Sequence, residues 1–418
     1  MLVEFTLGNF LSFNEKRTLS FEAQGGVSEL KDNCFTFEKQ NLLRSIVLYG
    51  ANSSGKSNLI KALERMKYCV QSSVKLNETD ELEYSPFLLS SDSENQPTFF
   101  EIVFFSKKQK FRYGFEYNAT DIVNEWLFEV KKTKETPFFI RTPEGIAVAD
   151  DFPEGKQKEA ATNRNRLFIS LVAQLGGEVS KQLLEWFSDY GVISGVTHTN
   201  YRGFSLKMFL NQSEGFEESL ELFQHLKLGF QNVQLVEREP TPDEIITSSQ
   251  HPVATILSRS KRISFNTIHN RYDSEGNVID SISWNKDLYE SEGTNKIIDL
   301  SGPIFNTLIN GKMLIIDELD SKLHPLITMQ IIGLFNNPET NPNNAQLLFT
   351  THDTNLLSTN IFRRDQIWFT EKDNIEQTDL YSLDDFVFAD GSKVRKDANL
   401  EKNYIRGRYG AIPYIANF

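Results

Sequence analysis

Ser45-Ile46-Val47-Leu48-Tyr49-Gly50-Ala51-Asn52-Ser53-Ser54-Gly55-Lys56-Ser57 is the stretch on which the reading of this chain turns. Its first five residues are almost wholly apolar and predict a short buried strand ending at Gly50. Leu59, Ile60, Leu63, Met66 and Val70 then recur at helical spacing, so a helix is expected over Ser57 to Val70. The residues between strand and helix match the phosphate-binding loop pattern in full. Gly50 and Gly55 let the backbone turn its N–H groups inward, and Asn52, Ser53, Ser54 and Asn58 complete the candidate cradle. Lys56 supplies a point charge for the outer phosphates, and the Ser57 hydroxyl is a candidate Mg²⁺ ligand. The positive end of the following helix adds to the same field.

Two later segments answer to this one. Met313-Leu314-Ile315-Ile316-Asp317-Glu318 is an apolar strand closed by two acids. Asp317 is placed at the strand's carboxyl end, where the Mg²⁺ of a phosphate-binding loop sits. Glu318 then faces the γ-phosphate side as a candidate general base. Gln346-Leu347-Leu348-Phe349-Thr350 is the next continuous apolar strand, and Thr351-His352-Asp353 follows it. His352 is therefore expected beside the same nucleotide, hydrogen-bonded to its γ-phosphate. A helix over Leu326 to Phe335 separates the two strands.

Around this frame, Leu2 to Phe21 and Phe99 to Val130 alternate as antiparallel strands do. Residues 155 to 230 carry apolar stripes of helices. Residues 234 to 252 are polar and loop-like. The expected fold is α/β, a nucleotide-binding core built from both chain ends around a large insertion. Its expected divisions are 1–150 with the phosphate loop and antiparallel sheet, 151–255 as a largely helical insertion, 256–392 as the second half of the core, and 393–418 as a basic C-terminal segment.

Composition narrows the function classes. The 418 residues are 39% hydrophobic and 24% charged, with 33 phenylalanines, which favours a folded chain over a disordered one. No apolar run reaches the length of a membrane helix, and the opening residues lack the pattern of a secretory signal. Two cysteines, Cys34 and Cys69, give no disulfide framework or metal-ligand spacing, so a cytoplasmic location is expected. Lys plus Arg of 44 against Asp plus Glu of 57 gives a net charge of -13, so contact with nucleic acid would have to be local. The stretch Lys393 to Arg408 reverses that sign. It is either a solvated basic tail or a docking surface anchored by Tyr404, Arg406, Arg408 and Tyr409.

These segments together resemble P-loop ATPases of the ABC type, the group of SMC, RecF-like and OLD-like proteins. The resemblance implies an ABC-type core, a mixed sheet with an antiparallel β-subdomain plus a helical insertion. It also implies that Ser291-Glu292-Gly293-Thr294, just upstream of a helical pattern (Ile297, Ile298, Ile304, Phe305, Leu308), is the signature turn. Ser291 and Gly293 would then meet the γ-phosphate held by another copy, in a homodimer or larger homo-oligomer with ATP and Mg²⁺ at the interface.

Within the group, Asn9-Phe10-Leu11-Ser12-Phe13, Tyr84-Ser85-Pro86-Phe87-Leu88, Leu323-His324-Pro325 and Tyr404 to Pro413 are similar to bacterial AAA family ATPases of the RloA and abortive-infection branch. Such relatives act in anti-phage defence beside a nuclease or toxin partner. His324 departs from the aspartate usual after the paired acids in ABC-type proteins. Gln71 and Gln96 are candidates for a Q-loop glutamine by order alone, or ordinary surface residues.

OLD-type nucleases carry a further metal-dependent domain after the switch histidine, and the 66 residues past His352 are too few for one. Asp384-Asp385 reads as a turn, so no nuclease site of the chain's own is expected. The resulting expectation is an ATPase that controls a separate effector. The alternatives are a RecF-like DNA-binding ATPase clamp in repair, or a scaffold that binds nucleotide without turnover.

Overall fold

Residues 1–132, 134–197, 199–238 and 262–413 are described by a computed structural model. The chain divides into two compact units: Met1–Val196 with Asn310–Ser321 and Pro325–Phe418, and Thr197–Ile309 with Lys322–His324.

The first unit is α/β and holds two large sheets. One has seven antiparallel strands, running from Gly145–Val148 at one edge to Arg17–Ser20 at the other. Alternation builds it: along Thr98–Ser106, Phe100, Ile102 and Phe104 are fully buried while Glu101 on the other face binds Arg112 and Trp126. Much of the chain's phenylalanine is spent here, with Phe5, Phe100, Phe104, Phe111 and Phe115 fully buried. Each such ring contributes roughly 2–3 kcal/mol of burial.

The other sheet has six strands in the order Gly191–Ser194, Met313–Asp317, Gln346–Thr350, Ser45–Gly50, Ile367–Lys372 and Thr378–Ser382. Its first five strands are parallel, and only the last pair is antiparallel. Ser45–Gly50 is central and wholly buried, which is why it reads as an unbroken apolar run. In the parallel register Ile316 pairs with Phe349, Thr350 with Leu48, and Thr370 with Gly50. The carboxyl ends of four strands therefore meet along one rim, the place where open α/β sheets bind ligands. Helices run over Lys56–Ser72 and Pro325–Asn336, close to where periodicity predicts them.

The unit limits differ from the expected divisions. Residues 151–196 belong with the first unit, because the helices Phe168–Gln174 and Glu178–Asp189 bury Phe168 and Phe187 among the sheet's rings. The second unit is not purely helical. Besides Thr199–Asn211, Phe216–Leu226 and Glu292–Asn310 it holds an antiparallel sheet of Asn232–Arg238, Arg262–Tyr272 and Val278–Asn285. The start of the supposed 234–252 loop is thus strand, and its remainder lies outside the described residues.

The C-terminal segment also differs from expectation. Tyr404 and Tyr409 are buried rather than presented, packing against Phe369 at 5.5 and 6.1 Å. They form the core behind the Ile367–Lys372 strand and cannot anchor a partner. Asp384 lies in a turn as expected, facing Arg364 at 3.7 Å and Lys393 at 3.8 Å. No helix among the described residues is long and apolar enough to cross a membrane.

Candidate nucleotide site

The rim of the six-stranded sheet opens into a cavity of about 520 Å³, within the range of small-ligand sites. Asn52 through Asn58 line it together with Glu318, His352, Ser12 and Lys372. The local chain conformation explains the glycines. Gly55 sits at φ 114°, and a Cβ there would lie 2.3 Å from the Thr378 hydroxyl. A Cβ on Gly50 would come within 2.5 Å of Ser54 and Thr370. The loop is therefore pressed against the Ile367–Lys372 and Thr378–Ser382 hairpin, and only glycine fits.

Hydroxyl contacts hold it there. Ser54 Oγ lies 2.6 Å from Thr370 Oγ1, and Thr378 Oγ1 donates to the Ser54 carbonyl at 2.9 Å. Ser12 Oγ lies 2.7 Å from Thr378 Oγ1 and accepts from Asn58 Nδ2 at 2.8 Å. Asn58 is thus tied to the N-terminal loop, and the segment Asn9 to Phe13 becomes part of the cradle.

Lys56 is buried, and its ammonium donates to the carbonyls of Gly50 at 2.7 Å and Ala51 at 3.0 Å. Burial lowers its pKa to about 8, while Asp317, Glu318 and Asp320 pull the other way. At neutral pH it remains a cation with no carboxylate in contact among the described residues, poised to exchange carbonyls for phosphate oxygens. His352 is held below its usual pKa by burial first and by the Lys56 charge second. A neutral imidazole can donate or accept one hydrogen bond to a ligand.

Asp317 ends its strand with Oδ1 accepting from Thr350 Oγ1 at 2.7 Å, and Glu318 follows in left-handed conformation at φ 57°. The hydroxyl of Ser57 and the carboxylate of Asp317 are hard oxygen donors. Together with phosphate oxygens and water they suit Mg²⁺, which seldom uses an all-protein cage.

The structure thus brings Asn52, Ser53, Ser54, Gly55, Lys56, Ser57, Asn58, Glu318 and His352 to one cavity. Gly50 backs the loop and Asp317 stands at the strand end beside Glu318. Gln71 bonds to Ser188 and Gln96 gives its carbonyl to Asn9 and Tyr84; neither lines the cavity. Ser12 and Lys372 were missed. The motif containing Ser12 was visible in the sequence, but nothing in it says that a hydroxyl faces the phosphate loop. Lys372 carries no motif, and its position follows only from sheet order.

Ser291 and Gly293 lie in the second unit. Ser291 is exposed and caps the Glu292–Asn310 helix, its Oγ accepting from the Thr294 N–H at 3.1 Å. Gly293 is required where the chain passes Lys322, whose carbonyl would lie 2.8 Å from a Cβ.

Residues 45–358 match the family described as "AAA domain, putative AbiEii toxin, Type IV TA system". No curated protein matches the chain. Among solved structures it is similar to an SMC head bound to the C-winged helix domain of ScpA, at 11% identity and TM-score 0.46, covering 91% of this chain and 97% of that one. It is similar to the SMC head domain from Thermotoga maritima at 12% identity and TM-score 0.39, covering 91% and 98%. A third is an Smc head domain with an extended coiled coil, bound to the C-terminal domain of ScpA derived from Pyrococcus furiosus, at 10% identity and TM-score 0.41, covering 91% and 96%.

Proposed function

This chain belongs to the AAA-domain family whose description names the AbiEii toxin and type IV toxin–antitoxin systems, and on that premise we propose that it is an ATP-binding and ATP-hydrolysing switch. One observation carries the proposal: the phosphate loop, Lys56, Ser57, Glu318 and His352 converge on a single cavity from three separate strand ends.

The chemistry follows from the residues. The loop's N–H groups and the start of the Lys56–Ser72 helix take the β-phosphate, and Lys56 turns from the Gly50 and Ala51 carbonyls to the outer phosphates. Glu318 receives the proton of the attacking water, and His352 meets the γ-phosphate from the neighbouring strand end. Ser57 and Asp317 would hold Mg²⁺, which would supply neutralisation of the phosphate charge. Ser291 and Gly293 act on the γ-phosphate of a second copy, so ATP closes a head-to-tail homodimer and hydrolysis opens it.

The family description supports the biological setting. In this reading the switch acts in bacterial anti-phage defence of the abortive-infection type, holding or releasing a separate nuclease or toxin, in the RloA and OLD-like manner. The deciding test is phosphate release by purified protein with Mg²⁺ and ATP, alongside Glu318→Gln. The proposal expects slow turnover in the native chain and, in the variant, retained ATP binding with turnover reduced at least about a hundredfold. Equal rates in the two proteins would remove Glu318 from the mechanism. Turnover stimulated by duplex DNA in a salt-sensitive manner would favour the clamp instead.

A further inference from the structure

We propose that Thr350 is a positioning residue of this site: its single hydroxyl sets both Asp317 and Glu318 in the arrangement that hydrolysis requires. The inference rests on the ATPase reading of the cavity and adds a residue that does not line that cavity.

Thr350 is fully buried at the carboxyl end of its strand. A hydroxyl offers one donor and two acceptor positions, and both roles are used here. The donor goes to Asp317 Oδ1 at 2.7 Å, and the oxygen accepts the Glu318 N–H at 2.7 Å. The Thr350 carbonyl then takes the next N–H of the turn, from Leu319, at 3.1 Å. Two consecutive N–H groups of the acidic turn thus end on one residue of the neighbouring strand.

The turn needs such a hold. Glu318 is at φ 57°, a left-handed conformation that residues with a Cβ avoid. On the opposite side the Gly195 N–H donates to the Asp317 carbonyl at 2.6 Å. A Cβ on Gly195 would lie only 1.9 Å from the Glu318 carbonyl oxygen. The turn is therefore clasped between Gly195 and Thr350, and its strained backbone persists because both neighbours over-determine it.

The clasp reaches further along the rim. Thr350 pairs with Leu48 in the strand that leads into the phosphate loop, and it stands two residues before His352. A second tie runs from the His352 N–H to Asp320 Oδ2 at 3.4 Å. One hydroxyl thereby links the metal-side carboxylate, the backbone of the base and the strand that delivers the histidine. Without it, Glu318 is free to leave the left-handed region and its carboxylate loses its aim. Binding of ATP rests on the phosphate loop and is untouched.

The test uses the full chain with three substitutions. Thr350→Val keeps the branched shape and removes the hydroxyl; Thr350→Ser keeps the hydroxyl and removes the methyl; Thr350→Ala removes both. The expected result for Thr350→Val is a fall in kcat of about ten- to a hundredfold, the usual effect of losing a group that orients site residues. ATP affinity stays within about threefold, and Thr350→Ser returns kcat to within about threefold of the native chain. If Thr350→Val does not fold, the difference in kcat between the Ser and Ala variants decides in its place.

Native-like kcat in Thr350→Val, or equal losses in the Val and Ser variants, would overturn the proposal and leave the ATPase reading standing. A loss in Thr350→Val with no loss in Glu318→Gln would also overturn it, since the effect would not pass through Glu318. A native chain that binds ATP without turning it over would sink the ATPase reading and this inference with it.

Discussion

Two helix starts in this chain suit an anion, and they are built in opposite ways. The start at Lys56 is interior: Ser54, Gly55 and Lys56 are buried, and Thr370, Thr378 and Ser12 brace the loop from behind. The start at Ser291 is exposed, and its support is concentrated on one carboxylate. Glu290 Oε1 accepts from Thr267 at 2.6 Å, His269 at 2.7 Å and Trp284 at 3.2 Å. The first is a finished pocket; the second is a rigid base under an open face. That difference is what a site needs if one copy grips a phosphate and another copy completes it.

The comparison can be broken from either side, and the largest effect is expected at the pocket. Lys56→Ala should lower ATP hydrolysis at least about a hundredfold and abolish detectable ATP binding in equilibrium dialysis. Retained binding would mean that the cavity is held by something other than this cation. At the other helix start, Glu290→Ala leaves three donors without their acceptor and should cost about 2 kcal/mol in thermal or urea unfolding. ATP binding to the isolated copy should not change, and a loss of binding there would contradict the separation of the two roles.

A pH series sharpens the pocket side. Phosphate oxygens favour the charged form of Lys56, so affinity is flat below pH 8 and weakens up to about tenfold per unit as pH rises past the lowered pKa of about 8. Stability without nucleotide moves the other way. Between about 8 and the ordinary lysine value of 10.5 the unfolded chain binds more protons at this lysine than the folded one, so its contribution rises with pH. Opposite slopes for binding and stability identify Lys56, and parallel slopes would exclude it. The smallest effect belongs to Ser291→Ala, which removes a helix cap worth about 1 kcal/mol, read as a small drop in melting temperature.

Much of this was legible in the sequence because its signals are local. The apolar runs at Ser45–Gly50, Met313–Asp317 and Gln346–Thr350 each lead into the polar residues that reach the rim, so strand, turn and chemistry are read from one stretch. Alternation likewise marked the long antiparallel strands.

What could not be read depends on pairing over distance. Thr378 touches Ser12 across 366 positions and Ser54 across 324, and sheet order alone brings them together. Apolar stripes on Phe168–Gln174 and Glu178–Asp189 announced helices without saying which core they join. The aromatic, basic stretch near Tyr404 read as a solvated tail or a docking surface, because composition does not show that its rings turn inward onto Phe369.

The central claim is that each triphosphate lies between the Lys56 pocket of one copy and the Ser291 turn of another. It is tested most directly by mixing two inactive variants, Lys56→Ala and Ser291→Arg, and measuring phosphate release. In a two-fold dimer the mixed species holds one site with both halves intact, so the mixture should regain up to about a quarter of the native rate. A mixture no more active than its separate components would contradict the account.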